Sequence, residues 1–216
     1  AVVPMATDAT CTIAASYEAK AKGVTTGTPI YEARRLCPEL ICVLARHDLY
    51  VQYHHKILSA VIGEAPINTV HSIDELSSRL PPNKQSGDTA RALAGRIKTA
   101  IRNQVGASIT CSIGLAPNDY LAKVASDMQK PDGLVTLEAA ALPDILFGLE
   151  LDDLPGINTR MQRRLNRQGI FHIHQFCNLA PKQARRLWGS VDGERLWYRL
   201  HGHEIHAPPT QRRMIG

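Results

Sequence analysis

The sequence predicts an α+β fold, with helices laid on one face of an antiparallel sheet, followed by a small, basic, all-helical module. Three observations carry this. Up to Leu137, segments with apolar residues at helical spacing alternate with short β-branched runs. Past Leu137 the β-branched runs give way to short, arginine-bearing helices punctuated by Gly and Pro. The charge follows the same division: residues 1–150 carry 14 Lys+Arg against 15 Asp+Glu, whereas residues 151–216 carry 11 against 5. A surplus of that size serves either polyanion binding or solubility.

The 216 residues suffice for one large domain or two to three small ones with a buried core. An apolar fraction of 44% and a charged fraction of 21% are ordinary for a soluble globular protein. No run has the length of a membrane-spanning helix. Cys11, Cys37, Cys42, Cys111 and Cys177 form no C-x-x-C pair, so reduced, mostly buried thiols of a cytosolic protein are expected.

Ala1 to Pro4 reads as a buried strand already under way, which suggests that a preceding part of the chain is missing. Thr10 to Ala15 is β-branched and apolar and predicts a second strand. Ser16 caps a short helix that stops at Gly23. Thr28 caps another, with Pro29 at its first position and Pro38 beyond its end. From Asp48 a longer helix places Leu49, Tyr53, Ile57 and Val61 on one side, with His54 and His55 as exposed residues.

Strands are expected at Ile67 to Ile73 and about Glu75 to Leu80, with Asp74 and Glu75 at their junction. Inside a strand these two side chains would point to opposite faces; on a tight turn both can lean toward one hard cation. Taken alone, an Asp-Glu dipeptide is most often a solvated turn. Pro81 to Gly87 is a loop, and Asp88 caps a helix burying Leu93, Ile97, Ala100 and Ile101. Ser108 to Ile113 alternates strictly and is the clearest predicted strand. Asn118 caps a helix that buries Leu121, Val124, Ala125 and Met128, with Lys123 and Asp127 spaced to pair outside. Lys130 falls at the end of that helix, beside the turn forced by Pro131 and Gly133.

In the basic module, Leu154-Pro155-Gly156-Ile157-Asn158 is a hairpin feeding a helix whose Met161 and Leu165 face inward and whose Arg160, Arg163, Arg164 and Arg167 face out. Backbone N–H groups at such a helix start suit a phosphate oxygen. Pro181 to Leu200, with a Gly189 to Gly193 turn and the Trp188 and Trp197 anchors, is a looser second copy. His201, His203 and His206 read as a solvated linker in preference to a metal site.

Taken together, Ala15-Ser16-Tyr17-Glu18-Ala19-Lys20, Gly27-Thr28-Pro29, Glu32-Ala33-Arg34-Arg35, Ser72-Ile73-Asp74-Glu75, Ser112-Ile113-Gly114, Leu121-Ala122-Lys123, Lys130-Pro131-Asp132-Gly133 and Leu154-Pro155-Gly156-Ile157 resemble, in order and spacing, the Y-family (DinB/UmuC-like) translesion DNA polymerases. The resemblance spans the chain. It implies a ferredoxin-like palm over residues 46–137, small fingers over 1–45, a helix-hairpin-helix thumb over 138–202, and from 203 a tether to a little-finger domain. It implies two Mg²⁺ ions, with Asp74 and Glu75 as ligands and catalytic carboxylates. Tyr17, Lys20 and Lys130 would contact the triphosphate, and Gly27 would roof the nascent base pair. Pro155, Gly156, Ile157, Asn158, Arg160 and Arg163 would hold DNA.

The implied partners are primer-template DNA, deoxynucleoside triphosphates and a sliding clamp reached through other segments, in a cytoplasmic, nucleoid-associated protein with no membrane contact. Lys20 stands where many members have Arg, and Asn158 where a second glycine is usual. The family's first metal-binding Asp and its steric gate would both precede Ala1, so these residues alone are expected to bind metal weakly and polymerise little. A non-catalytic DNA-binding accessory subunit of a mutagenesis complex is the alternative. Retention of Asp74 and Glu75 argues against it.

Overall fold

The computed structural model describes residues 1–205, in two units, Ala1–His55 and a second that begins at Lys56.

In the first unit, β1 (Val2–Val3) pairs in parallel with β2 (Val43–Leu44). The expected strand at Thr10 to Ala15 is reduced to isolated bridges, Val2 with Ala14 and Cys11 with Pro29. The reason is Thr12, which is buried and sends its hydroxyl and its amide to the Thr25–Thr28 loop instead of to a ladder. α1 (Tyr17–Ala21) starts as expected at Ser16, whose hydroxyl accepts the Ala19 amide at 3.4 Å. α2 (Ile30–Leu36) begins one residue later than expected, with Pro29 as its cap. Ala19, Val24, Ala33 and Cys37 make up a small core.

The division falls inside α3 (His47–Ile62). Of its expected stripe, Val61 is buried but Tyr53 is exposed. In the second unit, β3 (Thr69–Val70) and β4 (Leu76–Ser77) form a short antiparallel hairpin. α4 (Gly87–Gln104) has Ser86 at its cap position, with Asp88 inside the first turn, where its charge complements the helix dipole. Ala60, Val61, Ala100 and Ile101 bind α3 to α4.

The strictly alternating run Ser108 to Ile113 is not a strand over most of its length; β5 is Ile113–Leu115 and pairs in parallel with β6 (Leu134–Thr136). The preceding groups are otherwise engaged: Cys111 O accepts from Lys98, and the Ser112 hydroxyl donates to Gln129 O and accepts from Gly133 N. Among the described residues the strands form three separate two-stranded ladders, two of them parallel. A single antiparallel sheet is therefore not what the described residues build. Between β5 and β6 runs α5 (Asp119–Met128), and a strand-helix-strand connection of this length is what parallel pairing requires.

α5 lies directly on β5. A methyl group at Gly114 would overlap the Ala122 carbonyl and the Ser126 amide. Leu121, Val124 and Ala125 are buried, whereas Met128 at the helix end is exposed. Their core continues through Leu146, Leu151, Leu154, Leu165, Ile173 and Phe176 to Leu200. This core is covered by α6 (Thr159–Asn166), α7 (Ile173–Cys177), α8 (Pro181–Trp188) and α9 (Val191–Leu200). The sequence reading did not find α7. Gly189 turns α8 into α9 at φ +78°, but Gly193 lies within α9, where its missing side chain lets the helix press on Ala184 and Trp188.

Asn118 fastens α5 to α9. It is 6% exposed; its Oδ1 accepts the Leu121 amide at 2.8 Å, and its Nδ2 donates to Arg199 O and His203 O, both at 3.0 Å. Asn118→Ala removes a helix cap and leaves two carbonyls without their donor, and should lower unfolding free energy by about 2–4 kcal/mol. Asn118→Asp, which keeps the cap acceptor, should lose less; equal losses in urea titrations would show that the two donations from Nδ2, and not the cap, carry the stability.

Candidate functional site

The β3–β4 turn carries Asp74 and Glu75. It is closed by the Glu75 carbonyl, which accepts from the His71 amide at 2.9 Å and the Ser72 amide at 3.2 Å. The Ser72 hydroxyl donates to Asp74 Oδ1 at 2.6 Å and accepts the Asp74 amide at 3.4 Å. This local loop interrupts strand alternation, and both carboxylates are exposed.

Across from the turn stands α5. Lys123 Nζ donates to Glu75 Oε1 at 2.5 Å and to Asp127 Oδ1 at 3.2 Å. Lys130 Nζ reaches the same Asp127 oxygen at 2.6 Å. Charges thus alternate along one run: Glu75, Lys123, Asp127, Lys130. Burial pulls the Lys123 pKa down, but hydrogen bonds to Glu75 and Asp127 and their negative charge outweigh it, so its net shift is upward. The Lys123–Asp127 pair was legible as a four-residue step on a helix. The contact to Glu75 was not, because the partners stand 48 residues apart.

The turn that carries Lys130 is fixed from behind by Lys98, which the sequence reading missed. Its ammonium donates to Cys111 O at 2.8 Å, Asp132 O at 2.7 Å and Gly133 O at 3.1 Å, and pairs with Asp132 Oδ1 at 2.7 Å. Asp132 adopts φ +58°, and a side chain at Gly133 would collide with the Gln129 carbonyl. The hydrogen bond from Lys98 holds the Asp132 carboxyl below its ordinary pKa.

Tyr17, Lys20 and Gly27 belong to the first unit. Tyr17 opens α1 and is half exposed; one turn later, the Lys20 ammonium lies 5.1 Å from its ring centroid. Gly27, at φ +88°, faces open space, so no neighbour crowds that position.

The hairpin at Pro155 to Asn158 turns on Gly156, at φ +92°. Asn158 serves as the cap of α6, and its Oδ1 accepts the Arg160 and Met161 amides at 3.1 and 3.0 Å. Those two amides are therefore already engaged. Ile157 is buried and anchors the hairpin in the core, while the Pro155 carbonyl accepts the Tyr120 hydroxyl at 3.0 Å. Arg160 and Arg163 are exposed on α6. A concavity of about 340 Å³ separates the hairpin from Lys123 and Asp127.

Among the described residues no three His, Cys, Asp or Glu side chains gather as a metal cluster. Asp74 and Glu75 nevertheless offer the hard oxygen donors that Mg²⁺ takes, one or two carboxylates being its usual protein share beside phosphate and water. His201 is not part of a solvated linker: its ring stacks on Trp197 at 3.7 Å, with Nδ1 2.7 Å from Trp197 O. His203 packs edge-on against Tyr198. His206 lies outside the described residues. All five cysteines are unpaired, and only Cys37 and Cys177 are buried.

The impB/mucB/samB family model matches residues 1–127. The chain belongs to that family. Among curated relatives of this family member, DNA polymerase IV of Moorella thermoacetica is 37% identical over 180 residues, which covers 83% of this chain and 44% of that protein. DNA polymerase IV of Pelotomaculum thermopropionicum is 36% identical over 194 residues, covering 90% and 45%. The chain spans about half the length of the curated relatives it matches. Among solved structures, DinB from Sulfolobus solfataricus superposes with a TM-score of 0.79 at 28% identity, over 93% of this chain and 58% of that one. An insertion ternary complex of Dbh DNA polymerase gives 0.77 at 29%, over 89% and 56%.

Because the Asp132 pKa is depressed in the folded state, its contribution to stability is present above the ordinary carboxylate range and is lost as pH falls through the folded pKa. The urea midpoint of Asp132→Asn should therefore lie below that of the wild type near neutrality. The gap should close well below about pH 4; a gap that persisted in acid would assign the loss to something other than the ion pair with Lys98.

Proposed function

We propose that the protein containing this chain is a DNA-directed DNA polymerase of translesion synthesis, acting by two-metal nucleotidyl transfer on damaged primer-template DNA. The observation that carries this reading is the Asp74-Glu75 turn, with both carboxylates exposed and Glu75 bridged to Lys123, in a chain whose relatives are named DNA polymerase IV.

In this reading residues 1–45 are fingers, 46–137 palm and 138–202 thumb. Asp74 and Glu75 would hold Mg²⁺, which when bound lowers the pKa of an attacking hydroxyl and neutralises charge on a triphosphate. Lys130, tied to Asp127 and set on the turn braced by Lys98, contributes a point charge for the phosphates. Lys20 contributes another on α1, and because it lacks the planar fork of an arginine it attracts a triphosphate without orienting it bidentately. Tyr17 offers a hydroxyl beside it. Gly27 leaves space above a distorted base.

On the thumb, Gly156 and Asn158 present backbone to a DNA phosphate while the exposed Arg160 and Arg163 add charge. Buried Ile157 keeps the hairpin seated. Such contacts position a duplex without reading its sequence, as a polymerase on varied templates requires.

In the full-length protein, Asp74→Ala should lower primer extension by at least about a hundredfold while leaving primer-template affinity intact. Extension at the wild-type rate would end the catalytic assignment. Arg160→Ala with Arg163→Ala should weaken primer-template binding and reduce the slope of log affinity against log salt by about 2. An unchanged slope would place the DNA path elsewhere.

A further inference from the structure

The Lys123 ammonium sits on a Glu75 carboxylate oxygen, 2.5 Å away, at a lone pair that a divalent ion would need. The lysine cannot retreat by moving its backbone: α5 is seated on β5 over Gly114 and pinned at its start by Asn118. It can retreat by swinging its side chain, which is one-third exposed, because Asp127 one turn along the helix already accepts from it at 3.2 Å. Leaving Glu75 therefore does not strand the ammonium.

Resting on the metal-binding reading above, we infer that Lys123 is a positioning residue for Glu75, an internal cation that neutralises and orients this carboxylate before a divalent ion binds and withdraws to Asp127 when it does. The charge balance gives the sign of the effect. Asp74, Glu75 and Asp127 supply three negative charges, and Lys123 and Lys130 return two. Without Lys123 the same carboxylates face an incoming ion with one fewer competitor and one fewer repelling charge. Metal affinity should then rise. A purely structural role for the lysine predicts the reverse, since a loosened turn binds metal more weakly.

The test is Mn²⁺ binding to the full-length protein followed by electron paramagnetic resonance, with no DNA or nucleotide present. Lys123→Met should tighten Mn²⁺ binding roughly tenfold. Lys123→Gln should do the same, so the result does not hinge on one variant folding well, and Lys123→Arg, which keeps the charge, should stay near wild type. Unchanged or weaker binding in both neutral variants would overturn the inference. Asp74→Ala is the separating control. If it abolishes Mn²⁺ binding while the lysine variants change nothing, only the role given to Lys123 fails; if it leaves Mn²⁺ binding intact, the metal-site reading fails with it.

Discussion

The seat of α5 on β5 is the constraint from which the rest of the second unit follows. It requires a residue without a side chain at Gly114, because the Ala122 carbonyl and Ser126 amide occupy the place of a Cβ. Once the helix is down, Asn118 at its start reaches the Arg199 carbonyl in the last turn of α9 and the His203 carbonyl just beyond it, and Tyr120 reaches the Pro155 carbonyl of the hairpin. Lys123, one turn further on, reaches Glu75. One short helix thus sets the positions of the acidic turn and of the Pro155–Asn158 hairpin at once. Its buried face belongs to the same apolar core as the four C-terminal helices.

The polar side chains of this region work as braces as well as candidate ligands. Lys98 spends its ammonium on three backbone carbonyls and one carboxylate, which fixes the turn displaying Lys130 and also explains why the residues before β5 form no ladder. Asp127 accepts from two lysines. Charges used in this way are partly desolvated and mutually compensated, so they hold geometry that the very short strands could not hold through backbone pairing alone.

Much of the local structure was legible. The caps at Ser16 and Asn118, the glycine stop at Gly23, and the turn at Asp74 each follow from the chemistry of one or two residues. The errors share a cause. Thr10 to Ala15 has the composition of a strand and Ser108 to Ile113 its alternation, but a strand also needs a neighbour; the Thr12 amide and carbonyl go to the Thr25–Thr28 loop, and the Cys111 carbonyl to Lys98, instead. The parallel pairing of β5 with β6 could have been read from the helix between them.

The sequence by itself determined the family, the ordered set of motifs, the basic C-terminal third and the adjacency of Asp74 and Glu75, because these are properties of composition and spacing along one dimension. Tertiary structure decided that Glu75 is held by a lysine 48 residues away, that Lys98 locks the Lys130 turn and that Ile157 is an anchor buried in the core. Those contacts join segments distant in sequence. Side-chain periodicity reports which face of an element is buried, but not which residue of another element will meet it.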